Sequence, residues 1–172
     1  ALPICIKSPM IFTEYYKDPA LTDLVFKDGW YYSGDIGEID DEGFIKITGR
    51  KRDVFKISSG NYITPETIEK LLKESPYIEN TFVFQMDNQL TAMVIFNSNI
   101  SCDSDIQTKI KEEIHQHYNS KVFDAEQIKK LYIDNHLWSI EDGLLTPTMK
   151  IKRSELQKFY RNKLENTTPI NL

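Results

Sequence analysis

Glycine is distributed unevenly along the 172 residues, and this divides the chain into two kinds of predicted structure. Five of the seven glycines lie between Gly29 and Gly49, among short alternating apolar stretches such as residues 44–48. Glycines at this spacing are typical of tight turns, so the segment predicts short strands joined by hairpins, with one turn at residues 40–43. After Gly60 there is one further glycine, Gly143, and helix-forming residues dominate. The predicted fold class is therefore α+β.

The β-rich N-terminal segment should be followed by a compact α+β domain with a small mixed sheet flanked by helices. Pro65 at the first helical position and an apolar face on residues 68–72 predict a helix. Two β-rich runs in residues 78–97 meet at Asp87–Asn88, which predicts a hairpin. Helices are also predicted over residues 103–119, 124–131 and 152–164, and strands over residues 131–135 and 136–140.

Composition excludes several classes of protein. The formal net charge is −5, which argues against general nucleic-acid binding because that function requires a basic surface. Cys5 and Cys102 lie far apart in sequence and are interpreted as reduced thiols of a cytosolic protein. No apolar run approaches the roughly 18 residues that a spanning helix needs. The histidines, including His115 and His117, lack the spacing of a zinc site, so no metal ligands are assigned.

Residues 49–53, GRKRD, place four charges after a glycine at the junction between the two parts of the chain. Such a segment is either a solvated turn, or a joint that moves or holds an anion. The composition does not distinguish these readings.

Four segments in order resemble motifs of the adenylate-forming superfamily, which includes acyl-CoA synthetases, luciferases and peptide-synthetase adenylation domains. They are SPMIFTEYYKDPALT (residues 8–22), GWYYSGDIGEIDDEGFIKITGRKRD (residues 29–53), ISSGNYITPETIE (residues 57–69) and LLTPTMKIKR (residues 144–153). The last two segments are most similar to long-chain fatty acid–CoA ligases. The superfamily's Ser/Thr/Gly-rich phosphate loop and its Tyr-Gly-x-Thr-Glu adenine segment have no counterpart in these residues, and the first motif is degraded at residues 1–9.

The resemblance implies a C-terminal fragment of an ATP-dependent, AMP-forming fatty acid–CoA ligase, expected to be inactive alone. Residues 1–49 would end the large adenylation domain, residues 50–53 would form a hinge, and residues 54–172 would form the mobile C-terminal domain. The implied partners are the missing N-terminal adenylation domain, ATP or AMP, Mg²⁺, a fatty acid and coenzyme A. The expected location is cytoplasmic, with peripheral membrane association of the parent left open.

The resemblance also implies roles for individual residues. Asp35 would bind the ribose hydroxyls and Arg50 the ribose and phosphate oxygens, because a carboxylate is an acceptor only and a guanidinium is a permanent forked donor. Arg52 stands at the hinge position. Lys150 would be the adenylation lysine, and the loop facing CoA would contain Ser59 and Gly60.

Alternatives remain open for each of these residues. Asp35, Arg50 and Gly60 can be ordinary turn residues, and Lys150 can belong to a basic surface turn with Lys152 and Arg153. For the chain as a whole, the alternatives are a non-catalytic interaction module and an acyl-AMP or carrier-protein ligase of the same superfamily.

Overall fold

The structure, a computed structural model, describes residues 2–57, 60–100 and 105–172. Its backbone contacts divide the chain into two compact units. The first unit contains Ala1–Phe55 and Tyr62–Thr67, and the second contains Lys56–Asn61 and Ile68–Leu172. The predicted hinge at residues 50–53 thus lies within the first unit, close to its first boundary, and its role as a pivot stays a prediction.

The first unit is built around one long strand. Its elements are β1 (Leu2–Ile6), α1 (Pro19–Val25), β2 (Phe26–Lys27), β3 (Trp30–Ile39) and β4 (Ile45–Arg50). β3 pairs antiparallel with each of the other three strands. The predicted turn between β3 and β4 is present, because the Gly43 amide donates to the Asp40 carbonyl at 3.0 Å and Gly43 has φ +87°.

Four aromatic side chains of this unit pack against one another around the partly exposed Phe12. The ring centroid of Phe12 lies 5.0 Å from that of Tyr15, 5.2 Å from that of Phe26 and 5.1 Å from that of Tyr31, all in edge-to-face geometry. Edge-to-face pairs of this kind add stabilisation beyond the burial of apolar area. The cluster therefore holds the segment before α1 against β2 and β3.

The second unit is an α+β domain, as predicted. A two-stranded ribbon of β5 (Phe55–Lys56) and β6 (Tyr62–Ile63) lies at the boundary of the units along the chain, with Lys56 assigned to the second unit and the other three residues to the first. Its elements are α2 (Pro65–Leu72), β7 (Ile78–Met86), β8 (Gln89–Phe96), α3 (Ile106–His117), β9 (Ile128–Asp134), α4 (Arg153–Glu165) and β10 (Ile170–Asn171).

The sheet of this unit has the strand order β10-β9-β8-β7, with β8 and β9 parallel and the other pairs antiparallel. The mixed sheet is thereby confirmed. The β7–β8 hairpin turns at Asp87 and Asn88, whose φ angles of 49° and 60° are those that a two-residue turn of this hand requires. Within the described residues, no helix is both long enough and apolar enough to cross a bilayer.

Two predicted elements are wrong. Residues 124–131 do not form a helix: a single 3-10 turn covers Asp124–Glu126 and β9 already begins at Ile128. The Asn119 side chain binds both backbone groups of Ile128, at 2.9 and 3.0 Å, and this long-range contact starts the strand. Residues 136–140 do not form a strand, because the segment is anchored instead by the buried Trp138.

A buried polar network fixes Trp138 and the end of β9. The Trp138 indole N–H donates to the Tyr160 hydroxyl at 2.9 Å, and that hydroxyl donates to Asp134 at 3.0 Å. The Lys163 ammonium and the Asn135 amide also donate to the Asp134 carboxylate, at 2.7 and 2.9 Å. Burial alone would raise the pKa of Asp134, but the hydrogen bonds from Lys163, Tyr160 and Asn135 outweigh it and lower the pKa below its ordinary value.

This network predicts an acid-dependent contribution to stability. Because the pKa of Asp134 is lower in the folded than in the unfolded chain, its contribution is complete above the unfolded pKa of about 3.9 and is lost as pH falls through the folded value. Asp134→Asn should reduce the free energy of unfolding at pH 7 by about 1.5–3 kcal/mol and flatten the loss of stability below about pH 4. Urea unfolding of the chain from pH 7 to pH 3 measures both effects.

The control is Asp124→Asn, which removes a carboxylate whose side chain is 87% exposed. It should leave both the free energy of unfolding and its pH dependence close to those of the unsubstituted chain. Equal behaviour of the two variants would show that the Asp134 network does not stabilise the fold.

Candidate functional site

Asp35 and Arg50 lie directly opposite each other on β3 and β4. The Arg50 Nε atom is 3.2 Å from Asp35 Oδ1, and the Asp35 side chain is 24% exposed against 53% for Arg50. The pair therefore presents a carboxylate and a guanidinium together at the surface of the first unit. The resemblance to the adenylate-forming superfamily implies that these two residues bind the nucleotide, and that role stays a prediction.

A one-residue bulge brings these two residues face to face. Near the turn, Ile39 pairs with Ile45 and Gly37 with Ile47, and this register continued would place Gly49 opposite Asp35. Between Ile36 and Gly37 the register shifts by one residue, so Arg50 faces Asp35 instead. Bulges are frequent beside functional sites because they redirect a side chain.

The backbone around Asp35 is held in place by hydrogen bonds within β3 and to residues on both sides of it. The Ser33 hydroxyl donates to the Ile4 carbonyl at 2.9 Å and accepts from the Asp35 amide at 3.1 Å. Gly34 has φ +78°, a conformation that L-residues rarely adopt, and its carbonyl accepts from the Lys51 amide at 2.9 Å. Ser33 was not among the residues predicted for the site, and its position two residues before Asp35 was the available signal.

Gly49 is required by close packing within the first unit. A Cβ atom added there would lie 2.5 Å from Cγ2 of Thr64, a separation that real Cβ atoms do not show. The glycine that precedes Arg50 thus allows β4 to approach the start of α2 closely. This is a structural reason for the glycine in the GRKRD segment.

Arg52 lies in a turn directly after β4. The Arg50 carbonyl accepts from the amides of Asp53 and Val54, at 3.0 and 3.3 Å. The Arg52 side chain is 79% exposed, with its Nε 3.7 Å from Asp53 Oδ1. The segment is thus a charged turn in this conformation, which is compatible with a hinge and also with an ordinary polar connection.

Gly60 occupies a tight turn between β5 and β6, whereas Ser59 lies outside the described residues. The Gly60 amide donates to the Ile57 carbonyl at 2.9 Å, and the Ile57 amide donates to the Asn61 carbonyl at 3.0 Å. Gly60 has φ +90°, and a Cβ atom there would meet no atom closer than 3.9 Å. The glycine is therefore required by backbone conformation and leaves an open approach to the main chain.

Lys150 ends a small closed loop whose base is buried. Leu145 and Ile151 form an isolated bridge at the base. The Thr146 amide donates to the Lys150 carbonyl at 2.8 Å, and the Lys150 amide donates to the Thr146 hydroxyl at 3.1 Å. Met149 has φ +60°. Lys150 is exposed on this constrained loop, so its backbone is fixed while its ammonium extends into solvent.

The neighbouring cations differ from Lys150 in their surroundings. Arg153 begins α4, and its side chain is only 12% exposed because it forms an ion pair with Glu69. Lys152 is half-buried, and its amide donates to the Leu144 carbonyl at 2.8 Å. The three residues therefore do not form one uniform basic turn. In the described part of the chain, no group of three or more His, Cys, Asp or Glu side chains could hold a metal ion.

Comparison with known proteins shows which proteins have a fold similar to that of this chain. No protein-family model matches the chain. Its fold matches the adenylation domain of a carboxylate reductase from Mycobacterium chelonae with a TM-score of 0.84 at 24% identity, over 95% of this chain and 27% of that one. It also matches the o-succinylbenzoate coenzyme A synthetase of Bacillus subtilis with a TM-score of 0.68 at 20% identity, over 99% of this chain and 31% of that one. Both matches are below 25% identity, and they show that this chain shares the fold of the matched part of those two proteins.

Sequence comparison shows a more specific similarity, to long-chain fatty acid–CoA ligases. The chain is 34% identical to human long-chain-fatty-acid–CoA ligase 1 over 95% of its own length, and 31% identical to long chain acyl-CoA synthetase 3 of Arabidopsis thaliana over 94%. It spans 26% and 27% of those two proteins, about a quarter of the length of the curated relatives it matches. The resemblance to long-chain fatty acid–CoA ligases of the adenylate-forming superfamily is thereby confirmed, while the role of each site residue stays a prediction.

Proposed function

We propose that these residues contribute part of the catalytic machinery of an ATP-dependent, AMP-forming fatty acid–CoA ligase. The observation that carries the proposal is the 34% identity to a long-chain-fatty-acid–CoA ligase over 95% of the chain. The site geometry supports it, because the residues assigned to the nucleotide lie together on adjacent strands and the assigned lysine is exposed on a constrained loop.

The first step joins the fatty acid to AMP. A carboxylate oxygen of the fatty acid attacks the α-phosphorus of ATP, and pyrophosphate leaves with the electron pair of the broken P–O bond. Negative charge increases on the oxygens of the α-phosphate and on the leaving group. The Lys150 ammonium stabilises that charge, and its fixed backbone reduces the reorganisation needed when it acts. Mg²⁺ enters with ATP as part of the substrate.

Asp35 and Arg50 hold the nucleotide through both steps. A carboxylate has about four acceptor positions, so Asp35 can accept from two ribose hydroxyls while it remains beside Arg50. The planar Arg50 guanidinium offers further hydrogen-bond donors to ribose or phosphate oxygens. The pairing across β3 and β4 orients both groups before the nucleotide arrives.

The second step transfers the acyl group to coenzyme A. The CoA thiol gives up its proton, its sulfur attacks the acyl carbonyl carbon, and AMP leaves as the C–O bond breaks. The Gly60 turn faces the pantetheine arm, where a glycine without a Cβ lets the arm approach the main chain, and Ser59 is assigned to the same CoA-facing segment by its sequence position. Rotation about Arg52 exchanges the Lys150 loop for this turn between the two steps.

The hinge assignment predicts an unequal effect of Arg52→Pro on the two steps. Proline fixes φ near −65° and restricts rotation of the backbone at this position. In the polypeptide that carries these residues with the rest of the ligase, thioester formation should fall about tenfold further than adenylation. Rapid-quench measurement of each half-reaction gives the two rates.

Arg52→Ala is the matched control, because it removes the same side chain and leaves φ free. It should affect the two half-reactions alike and weakly. Lys51 is unsuitable for the proline test, since its amide donates to the Gly34 carbonyl. If Arg52→Pro reduces both steps equally, the pivot lies elsewhere.

The activity itself is tested in the polypeptide that carries these residues with the rest of the ligase. ATP–pyrophosphate exchange is measured with fatty acids of different length, followed by acyl transfer to CoA or to a carrier protein. The proposal predicts exchange that depends on the fatty acid and thioester formation with CoA. Thioester formation with carrier protein alone would identify an acyl-AMP or carrier-protein ligase. Absence of exchange with every acid would favour a non-catalytic interaction module.

A further inference from the structure

A buried ion pair, Glu69–Arg153, joins α2 to the start of α4 across 84 positions of sequence. The Glu69 side chain is 9% exposed and the Arg153 side chain 12%. The Arg153 Nη2 atom donates to Glu69 Oε2, and the guanidinium carbon lies 5.4 Å from the centroid of the Phe82 ring. A planar guanidinium can satisfy both contacts at once, with its edge on the carboxylate and its face on the ring.

The pair also binds the edge of the sheet. β7 is the terminal strand in the order β10-β9-β8-β7, so among the described residues one side of its backbone has no neighbouring strand. The Val83 amide donates to Glu69 Oε1 at 2.7 Å, and the Val83 carbonyl accepts from Arg153 Nη1 at 3.2 Å. Glu69 accepts a hydrogen bond from the Val83 amide, and Arg153 donates one to the Val83 carbonyl. The two side chains thus satisfy the backbone groups that a neighbouring strand would otherwise bind.

The position of Arg153 connects this pair to the Lys150 loop. Arg153 follows Lys150 by three residues, a span of at most about 10 Å. The loop returns to the fold through the Leu145–Ile151 bridge and the hydrogen bond from the Lys152 amide to the Leu144 carbonyl. Arg153 is the next residue. Its guanidinium contacts the Glu69 carboxylate, the Val83 carbonyl and the Phe82 ring.

The same strand contacts the turn that contains Gly60. The Gln85 side-chain amide donates to the Lys56 carbonyl at 3.2 Å, two residues along β7 from Val83. Lys56 directly precedes Ile57, whose carbonyl accepts from the Gly60 amide. β7 therefore supports the base of the Lys150 loop at Val83 and the approach to the Gly60 turn at Gln85.

We infer that Glu69 and Arg153 are positioning residues for adenylation, which set the base of the Lys150 loop against Val83 so that the lysine reaches the α-phosphate in one geometry. This inference rests on the proposed function. Neither residue touches a substrate; each acts through the loop. An error of about 1 Å in the position of a catalytic group can reduce a rate by about a hundredfold, so the alignment of the base is expected to matter for the rate.

The test compares Glu69→Gln and Arg153→Lys with the matched control Glu155→Gln. Glu155 also lies on α4 and pairs with Lys158, but that pair is exposed, with side chains 68% exposed for Lys158 and 44% for Glu155. Glu69→Gln keeps an acceptor for the Val83 amide and removes the charge that Arg153 binds. Arg153→Lys keeps the charge and removes the fork, so one ammonium cannot hold both acceptors in the same geometry.

The first readout is kinetic, on the polypeptide that carries these residues with the rest of the ligase. Both variants should lower the adenylation rate at saturating ATP by about tenfold to a hundredfold, with the KM for ATP changed less than about threefold. Thioester formation from supplied acyl-AMP should change much less. Glu155→Gln should leave both half-reactions unchanged.

The second readout does not depend on activity and uses amide hydrogen exchange of the 172-residue chain. The amides of Met149 and Lys150 are hydrogen-bonded within the loop, so a displaced base should speed their exchange by at least about tenfold. The amides of the β8 and β9 core should keep their protection. Arg153→Lys serves this measurement if Glu69→Gln does not fold.

The outcomes distinguish failure of the proposed function from failure of the positioning role of Glu69 and Arg153. If Lys150→Ala does not slow adenylation, the proposed function fails. If Lys150→Ala slows adenylation but the two variants leave it unchanged, the positioning role is wrong. The positioning role is also wrong if exchange accelerates uniformly across the second unit and both half-reactions fall together, because the pair then only stabilises the fold.

Discussion

Lys150→Ala is expected to slow adenylation by about 10²–10³-fold, the usual effect of removing one preorganised donor to transition-state charge. The thioester step from supplied acyl-AMP should change far less, because the proposed rotation removes the lysine from the site before that step. The free energy of unfolding should change by less than about 0.5 kcal/mol, since the side chain is exposed. Rapid-quench kinetics of each half-reaction and urea unfolding measure the three quantities.

Lys152→Ala is the control for this prediction. Lys152 has the same charge, lies two residues further on and is half-buried, with its amide bound to the Leu144 carbonyl. Alanine keeps that backbone bond, so the loop should retain its conformation. If the two variants reduce adenylation by equal factors, Lys150 acts only as one member of a basic segment.

Phe82→Ala is expected to cause the largest loss of stability in the second unit, about 3–5 kcal/mol of the free energy of unfolding. Phe82 is 1% exposed, its ring is stacked on that of Phe84 at 5.2 Å, and its face meets the Arg153 guanidinium. Alanine removes the ring from the core and also the surface on which the guanidinium rests. A domain is stable by only about 5–15 kcal/mol, so the loss is a large fraction of the total.

Phe123→Ala is the matched control, because the same change is made at a residue that is 81% exposed. Its free energy of unfolding should stay within about 0.5 kcal/mol of the unsubstituted chain. Urea unfolding of both variants tests the pair of predictions. A loss below about 1.5 kcal/mol for Phe82→Ala would mean that the core relaxes around the cavity and that Phe82 is not central to it.

Local sequence signals predicted the elements whose contacts are themselves local. Asp87 and Asn88 form the β7–β8 turn because both residues tolerate positive φ, and that preference is visible in sequence. Pro65 begins α2 for the same kind of reason, since proline at the first helical position loses no hydrogen bond. The turn at residues 40–43 was predicted in this way as well.

Long-range contacts explain what the sequence could not predict. Ile128 begins a strand because Asn119 binds both of its backbone groups, whereas the local pattern of residues 124–131 favoured a helix. β9 is then paired with β8 and β10, and tertiary pairing overrides a weak local preference.

In the candidate site, too, some features could be predicted from sequence motifs and others depend on tertiary structure. Asp35, Arg50 and Lys150 could be assigned through the superfamily motifs, but the bulge that turns Arg50 towards Asp35 has no local sequence signature. The Glu69–Arg153 pair spans 84 positions and depends on the fold that brings α2 and α4 to the edge of β7. Both features follow from strand register and sheet order, which a single sequence does not specify.

The central claim is that one small domain supplies two different surfaces, the Lys150 loop for adenylation and the Gly60 turn for acyl transfer to CoA. The direct test measures both half-reactions in Lys150→Ala and Gly60→Ala. Gly60 has φ +90° with open space around its Cα, so alanine adds backbone strain and a methyl group without a packing clash.

Opposite patterns are expected: Lys150→Ala should slow formation of acyl-AMP and spare its reaction with CoA, whereas Gly60→Ala should spare acyl-AMP formation and slow the reaction with CoA. Loss of the same half-reaction in both variants, or equal loss of both half-reactions in each, would contradict the central claim.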